Sequence, residues 1–332
     1  MSSTISCKLW LATLSFVLII FNTALISWSS FDLNLNVLSS FWLSFNTDSM
    51  EHQIIATLRM PRVLGGALIG ANLAIAGALM QGLTRNPLAA PSVLAINSGA
   101  AFVIVLGSIG FLSLPLPSVA LGAIGSALSG LLVIYLGGFF SNRPHPLKLV
   151  LAGIAVNALL LGLTRASVIL ADDMAYSVQS WLIGSISNLD WNQFYVLLPV
   201  SIVAISLAWG LSHQMNLLTL GQDVATGLGV NTTRIRLLAC CAIVLLTSVS
   251  VATTGPIGFV GLIIPHIARA FFGQNYFALV PASALLGAAL IMLADTMARG
   301  IAFPTETPVG IVTALLGTPF FIALSIRSRL NP

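Results

Sequence analysis

The sequence predicts an all-α protein that crosses a membrane ten times. Charged residues make up only 7% of its 332 positions, against about 25% in an ordinary soluble domain. Mean hydropathy is +1.01. The apolar residues fall in unbroken runs of about twenty, the length of a spanning helix, rather than in the ten-residue alternation of a transmembrane barrel. Lipid offers no partner to a backbone N–H or C=O, so only helices and closed barrels can span it, and run length selects the helix. Residues 1–332 read as one transmembrane domain.

Taken in order, Lys8 precedes an uncharged run from Leu9 to Ser29. That run exceeds the apolar core of a cleaved signal peptide and is expected to be the first span. Ser30 to Leu58 is polar and is expected at or outside the membrane surface. A second span, Val63–Leu83, carries Gly65, Gly66, Gly70, Ala74 and Gly77, small residues that let another helix approach closely. Pro87 and Pro91 break the chain after it. Spans three to six follow at Ser92–Leu112, Ser118–Phe140, Leu147–Leu170 and Trp191–Leu211, with a basic turn at Ser141–Pro146 and an acidic connection from Asp172 to Asp190. Leu237–Thr254, the shorter Gly258–Phe272, Phe277–Arg299 and Val309–Ile326 complete the ten.

Between spans six and seven lies a polar island, Ser212–Arg236 (about 212–236). Apolar residues recur in it at roughly helical spacing, and Gly221, Gly227 and Gly229 divide it into short pieces. A connection needs only a few residues, and this one holds enough for two short helices, so it is a candidate docking surface.

Charge sets the topology. With ten spans, Lys8, Arg85, Arg143, Lys148, Arg234, Arg236, Arg269, Arg327 and Arg329 share one side with only Asp223, while Arg59, Arg62, Arg165 and Arg299 face eight acids on the other. The positive-inside rule then puts both termini, and the island, in the cytoplasm. The net charge of +4 invites a nucleic-acid partner, but the basic residues stand singly at the ends of apolar runs, which excludes a nucleic-acid patch. Cys7, Cys240 and Cys241 lie in or beside apolar runs and suggest neither a disulfide framework nor a metal site.

Three constellations carry chemistry. Arg59, Arg62 and Arg299 stand where the rule disfavours positive charge. Either acids neutralise them (Asp295 at i,i+4 from Arg299, with Asp48, Glu51 or Glu306 for the others), or they form an exposed rim that docks an acidic partner. Gln81, Asn86 and Pro87 sit with Arg85 where a glycine-rich helix breaks. They either satisfy freed backbone groups or line a gate, because irregular backbone inside a membrane is tolerated where it borders a cavity. Gly255 and Pro256 open a second break, followed by His266, which either relays a proton or acts as a ligand or, as a lone histidine at a helix end more often does, caps the helix or meets water. Lys8 and Lys148 are the only lysines and neither follows a glycine, so no phosphate-cradling Walker A loop is present. Acids within the spans are nearly lacking, which argues against an ion-coupled secondary carrier. A transporter of this composition takes its energy from another subunit.

The residues resemble the FecCD-type iron-siderophore and cobalamin permeases of ABC importers. The likeness runs through Leu58-Arg59-Met60-Pro61-Arg62, Gly77–Gln81 with Arg85–Pro91 and Asn97–Ala100, Ala225–Val230, Gly255–Arg269 and Pro308–Gly317. Gly162-Leu163-Thr164-Arg165 and Asn216-Leu217-Leu218 are similar to the ferric-citrate branch. One departure is Ala95 in place of the family's usual glycine, which puts only local packing in question. The resemblance implies a type II importer permease of the cobalamin-permease architecture in a bacterial inner membrane. It pairs with a second permease subunit, a second copy or a paralogue, and two ATPase subunits that use ATP and magnesium. A periplasmic substrate-binding protein completes the set, and this chain binds no cofactor and hydrolyses nothing. The implied cargo is a ferric-siderophore or ferric-citrate chelate, with cobalamin or haem as the alternative. The implied docking residues are Arg59, Arg62 and Arg299. The implied ATPase-coupling residues are Leu217, Leu218, Leu220, Ala225, Gly227, Leu228 and Gly229.

Overall fold

The computed structural model describes residues 3–28, 33–112, 116–138, 146–170 and 181–330. The basic turn before Pro146 and the first part of the acidic connection, through residue 180, lie outside the described residues. Among the described residues every regular element is helical. The α-helices are α1 Ser3–Ile26, α2 Leu35–Leu43, α3 Met50–Ile54, α4 Met60–Thr84, α5 Ile96–Ser108, α6 Ser118–Leu136 and α7 Pro146–Leu170. They continue with α8 Trp191–Gly210, α9 Ser212–Thr219, α10 Gln222–Gly227, α11 Thr232–Thr254, α12 Val260–Phe272, α13 Tyr276–Ile301 and α14 Val309–Leu330. Seven stretches are long and apolar enough to cross a membrane, and three shorter apolar helices fall where spans three, eight and ten are expected.

The second span differs from its expected form. Helical backbone starts at Met50 and continues to Thr84 without a break, so the Leu58–Arg62 motif lies inside a helix. Pro61 has no N–H to give to residue 57. The chain absorbs this with a π turn, Ile55–Arg59, closed by the Met60 N–H on the Ile55 carbonyl. Such single π turns recur at functional sites.

Helix α4 is the axis of the bundle and is buried along most of its length. Its glycines set the packing distance. A Cβ on Gly70 would strike the Gly287 carbonyl of α13, and one on Gly77 would strike the Gly261 carbonyl of α12. At mid-length the fully buried Asn72 donates to Ser201 Oγ of α8 at 2.7 Å and Ser250 Oγ of α11 at 3.2 Å. A polar side chain at that depth needs partners, and these three hold each other across three helices.

Helices α5 and α12 are both 13 residues long, and both start from a left-handed residue that is not glycine. Ala95 has φ +55° and Phe259 φ +66°. Ala95 therefore concerns more than packing: glycine suits that position because the backbone turns left-handed there, a conformation costing an alanine roughly 1–2 kcal/mol. A 3-10 turn, Pro91–Leu94, leads into α5, and the non-helical stretch 255–259 leads into α12. Both segments are largely buried and border one cavity, where irregular backbone is tolerated. Gly255 (φ +72°) packs on the Trp181 carbonyl, where no Cβ would fit.

Candidate functional site at the two ends of helix α4

From Arg62 to Gln81 α4 rises about 29 Å, close to the hydrocarbon thickness of a bilayer. The chemistry gathers at these two levels.

At the Arg62 end, four charged side chains form one cluster. Arg62 donates through Nε and Nη2 to Asp295 Oδ1 at 3.1 and 2.7 Å, and through Nη1 to both oxygens of Glu306 at 2.9 Å. Arg299 Nε lies 3.2 Å from Asp295 Oδ2. Its remaining donors reach main-chain carbonyls at the end of α1, Ser27 O at 3.0 Å and Ala24 O at 2.9 Å. Arg59, carried by the π turn, donates to Ser27 O and Trp28 O at 2.8 and 3.1 Å. The cluster joins α1, α4, α13 and the segment before α14.

Of the two arrangements open to these arginines, the structure has the neutralised one for Arg62 and Arg299. Arg299 is 2% and Arg62 9% exposed, and Arg59 is half-buried. They form no free rim, because Asp295 and Glu306 neutralise Arg62 and Arg299. Asp48 and Glu51 make other bonds. Asp48 donates its N–H to Asn46, and Glu51 accepts from Ser49. The α1 carbonyls escaped the sequence reading, since no residue type marks a main-chain acceptor.

At the Gln81 end, the side chain of Gln81 is 3% exposed and fully engaged. Its Nε2 donates to Gly261 O at 3.1 Å, and its Oε1 accepts from Arg269 Nη1 at 2.6 Å. One amide thus ties α4 to both the start and the last turn of α12. Asn86 is exposed and builds a local turn: its Oδ1 accepts from Leu88 N at 3.0 Å. Pro87 borders a cavity of about 280 Å³ together with Gln81, Arg85, Thr219, Arg269 and Tyr276. Gly255 and Pro256 stand apart from these, beside Trp181 and Gly184. A smaller cavity of about 60 Å³ lies between the two breaks, lined among others by Pro91, Ser92, Asn97, Phe259 and Leu262. The sequence places both breaks but not the Gln81–Arg269 bond that spans between helices far apart in the chain.

The polar island forms the two short helices α9 and α10 at this same end. Arg85, left-handed at φ +50°, caps α4 and donates to Leu218 O at 2.9 Å. Asn216 bonds Asn275 Oδ1 and the Tyr276 N–H, both at 2.9 Å, which fixes α9 to the start of α13. Gly221 (φ +130°) is the joint between α9 and α10, and Gly229 (φ +80°) the joint to α11, whereas Gly227 is the last helical residue of α10. The residues expected to act together divide into two groups. Leu218 and Ala225 are buried and Leu217 is half-buried, so these anchor the island to the core. Leu220 (64%), Val224 (50%) and Leu228 (61%) point their apolar side chains outward, with Gly227 and Gly229 exposed beside them.

The two ends are chemically distinct. The Trp10 ring of α1 lies 4.4 Å from that of Phe272 of α12, tilted by 51°, so the start of α1 belongs with Gln81, Arg85 and the island. The end of α1 belongs with Arg62 and Arg299. His266 is half-buried with its ring edge on Phe320 of α14.

Comparison with known proteins gives one consistent picture. The profile of the FecCD transport family matches residues 14–327. The Fe(3+)-citrate import system permease protein YfmD of Bacillus subtilis (strain 168) is 44% identical over 281 residues, 85% of this chain and 84% of that protein. The Fe(3+) dicitrate transport system permease protein FecC of Escherichia coli (strain K12) is 41% identical over 324 residues, 97% of each. A solved structure of an ABC transporter described as metal-chelate type, in an inward-facing conformation, superposes with a TM-score of 0.83. It is 29% identical and covers 96% of this chain and 99% of its own.

Proposed function

We propose, from the premise that the chain belongs to the FecCD transport family, that it is the permease subunit of an ATP-driven importer for a ferric chelate of the citrate or siderophore kind. The observation that carries this reading is the near-full-length similarity to two ferric-citrate permeases. The chain crosses a bacterial inner membrane ten times, through the seven long apolar stretches and through α5, α12 and α14. Both termini lie in the cytoplasm with the Gln81 end, and the Arg62 end faces the periplasm. Hydrolysis of ATP with magnesium takes place on two separate ATPase subunits, and a second permease subunit completes the pathway.

The outward apolar residues of α9 and α10 support a docking role for the island. Leu220, Val224 and Leu228 expose apolar side chains on two short helices, the composition of a partner-facing surface. Bonds from Arg85 and Asn216 would carry a push on that surface into α4 and α13, and Gln81 passes it to α12. The chelate moves past the two backbone breaks. At the other end, a periplasmic binding protein docks over the largely buried cluster of Arg59, Arg62 and Arg299, its acidic residues approaching from the side of the exposed Glu306.

The test is uptake of radiolabelled ferric citrate into proteoliposomes holding the assembled transporter, with ATP inside and loaded binding protein outside. Uptake should require ATP and persist when the proton gradient is dissipated. Preference for cobalamin over ferric citrate would reassign the cargo. Uptake that needs no ATPase subunit and collapses with the proton gradient would overturn the reading.

A further inference from the structure

The arginine cluster at the outer end contains one bond unlike the others. The Asp295 carboxylate is 3% exposed and held by two arginines, whereas the Glu306 side chain is 41% exposed and held by Arg62 Nη1 alone. Glu306 sits on the exposed segment 301–306 between α13 and α14. Arg59 and Arg299 direct donors onto main-chain carbonyls at and just beyond the end of α1, Ser27 O, Trp28 O and Ala24 O. Arg62 Nη1 is thus the donor of this cluster whose partner lies at the surface on a short connecting segment.

We propose that Glu306 holds the place of a partner's carboxylate. Its ion pair with Arg62 occupies the docking site in the free transporter, and an acidic residue of the docking protein exchanges for it. This rests on the reading that the outer end docks an acidic protein surface. Chemistry favours exchange at this bond over the rest of the cluster. Replacing one half-exposed carboxylate by another leaves the charge on Arg62 compensated throughout, and the buried Asp295 pairing stays intact. Opening the Asp295 side instead would leave a charge buried without its counter-ion, which is far costlier. Exchange also sharpens selection, because a docking surface must supply a carboxylate good enough to displace one that already meets Arg62 Nη1 with both oxygens. The plainer alternative, in which Glu306 only pins its segment, makes a different prediction.

The experiment measures binding of the cognate substrate-binding protein to the full transporter in nanodiscs by biolayer interferometry. It compares wild type with Glu306→Gln, Glu51→Gln and Arg62→Lys. Glu51 carries the same charge at the same end but bonds Ser49, so it reports the general effect of removing a negative charge. Glu306→Gln should tighten binding about threefold or more through slower dissociation, while Glu51→Gln changes it by less than about 1.5-fold. Arg62→Lys keeps a charge beside Asp295 but loses the fork, and should weaken binding about tenfold. Thermal unfolding of each variant checks that the fold persists. A Glu306→Gln effect no larger than that of Glu51→Gln overturns the exchange, as does weaker binding, which would make Glu306 part of the docking contact itself. Undiminished binding by Arg62→Lys, and by Arg59→Gln alongside it, overturns the docking reading underneath.

Discussion

Asp295 answers two arginines from two helices, and no other described carboxylate reaches Arg299. Replacing it with asparagine would leave Arg299, 2% exposed, with a buried charge and only main-chain carbonyls for company. Breaking a buried pair from one side typically costs about 3–5 kcal/mol. Asp295→Asn should therefore sharply lower the thermal unfolding temperature and folded yield of the purified chain, and a near-wild-type unfolding curve would refute the account. Glu306→Gln should cost under about 1 kcal/mol in the same assay, because that pair is half in solvent. At this scale the sequence was partly legible. The i,i+4 spacing of Asp295 and Arg299 and the candidacy of Glu306 can be read from residue types, but the burial of Arg62 cannot. Nothing in a charged side chain says that three helices close over it, and the same letters describe an exposed rim.

Among the elements, α9 and α10 show how one short stretch divides its labour. Buried Ala225 and Leu218 attach it to the bundle, and outward Leu220 and Leu228 carry the proposed docking surface. The double change Leu220→Asp with Leu228→Asp should leave the unfolding temperature of the isolated chain nearly unchanged, since surface substitutions fall within about 0.5 kcal/mol. It should abolish copurification of the ATPase subunit. Ala225→Asp should instead destabilise the chain itself, by burying an unpaired charge. Retention of a fully active ATPase by the double variant would remove the coupling role. The two short helices were visible beforehand, because glycines interrupt a helical spacing. The assignment of the joints was not: Gly221 and Gly229 turn left-handed, but Gly227 stays helical, and all three read alike as letters. Helix α3 and the π turn escaped for a related reason. Leu58–Arg62 contains a proline in a polar setting, which looks like a boundary, whereas the backbone absorbs Pro61 by widening one turn.

At the scale of the whole molecule, ten apolar segments follow from composition and run length, and their positions match seven long helices and three short ones. What the pattern could not give is that α5 and α12 reach only part-way as helices, since an apolar residue reads the same in a helix and in enclosed irregular backbone. Sidedness is the other whole-chain property. Arg85 and Arg269 gather at the end that also holds the start of α1, apart from Glu306 and Asp295. On the proposed topology, which keeps the basic end in the cytoplasm, a fluorescent reporter fused after Pro332 should mature and a periplasmic phosphatase fused there should stay inactive. Phosphatase activity at that position would invert the topology.

Helix α4 joins both ends of this molecule on one shaft. The stretch Met50–Thr84 is about 50 Å long, and its glycines press against α13 at Gly70 and α12 at Gly77. Those contacts leave little freedom to bow but resemble a fulcrum. A tilt of about 5° about Gly70, roughly 16 Å along the helix from Gln81, would swing Gln81 by about 1.4 Å, enough to stretch its 2.6 Å bond to Arg269 beyond hydrogen-bonding reach. Arrival of a protein outside and opening of a bond inside would then be two views of a single rocking rod.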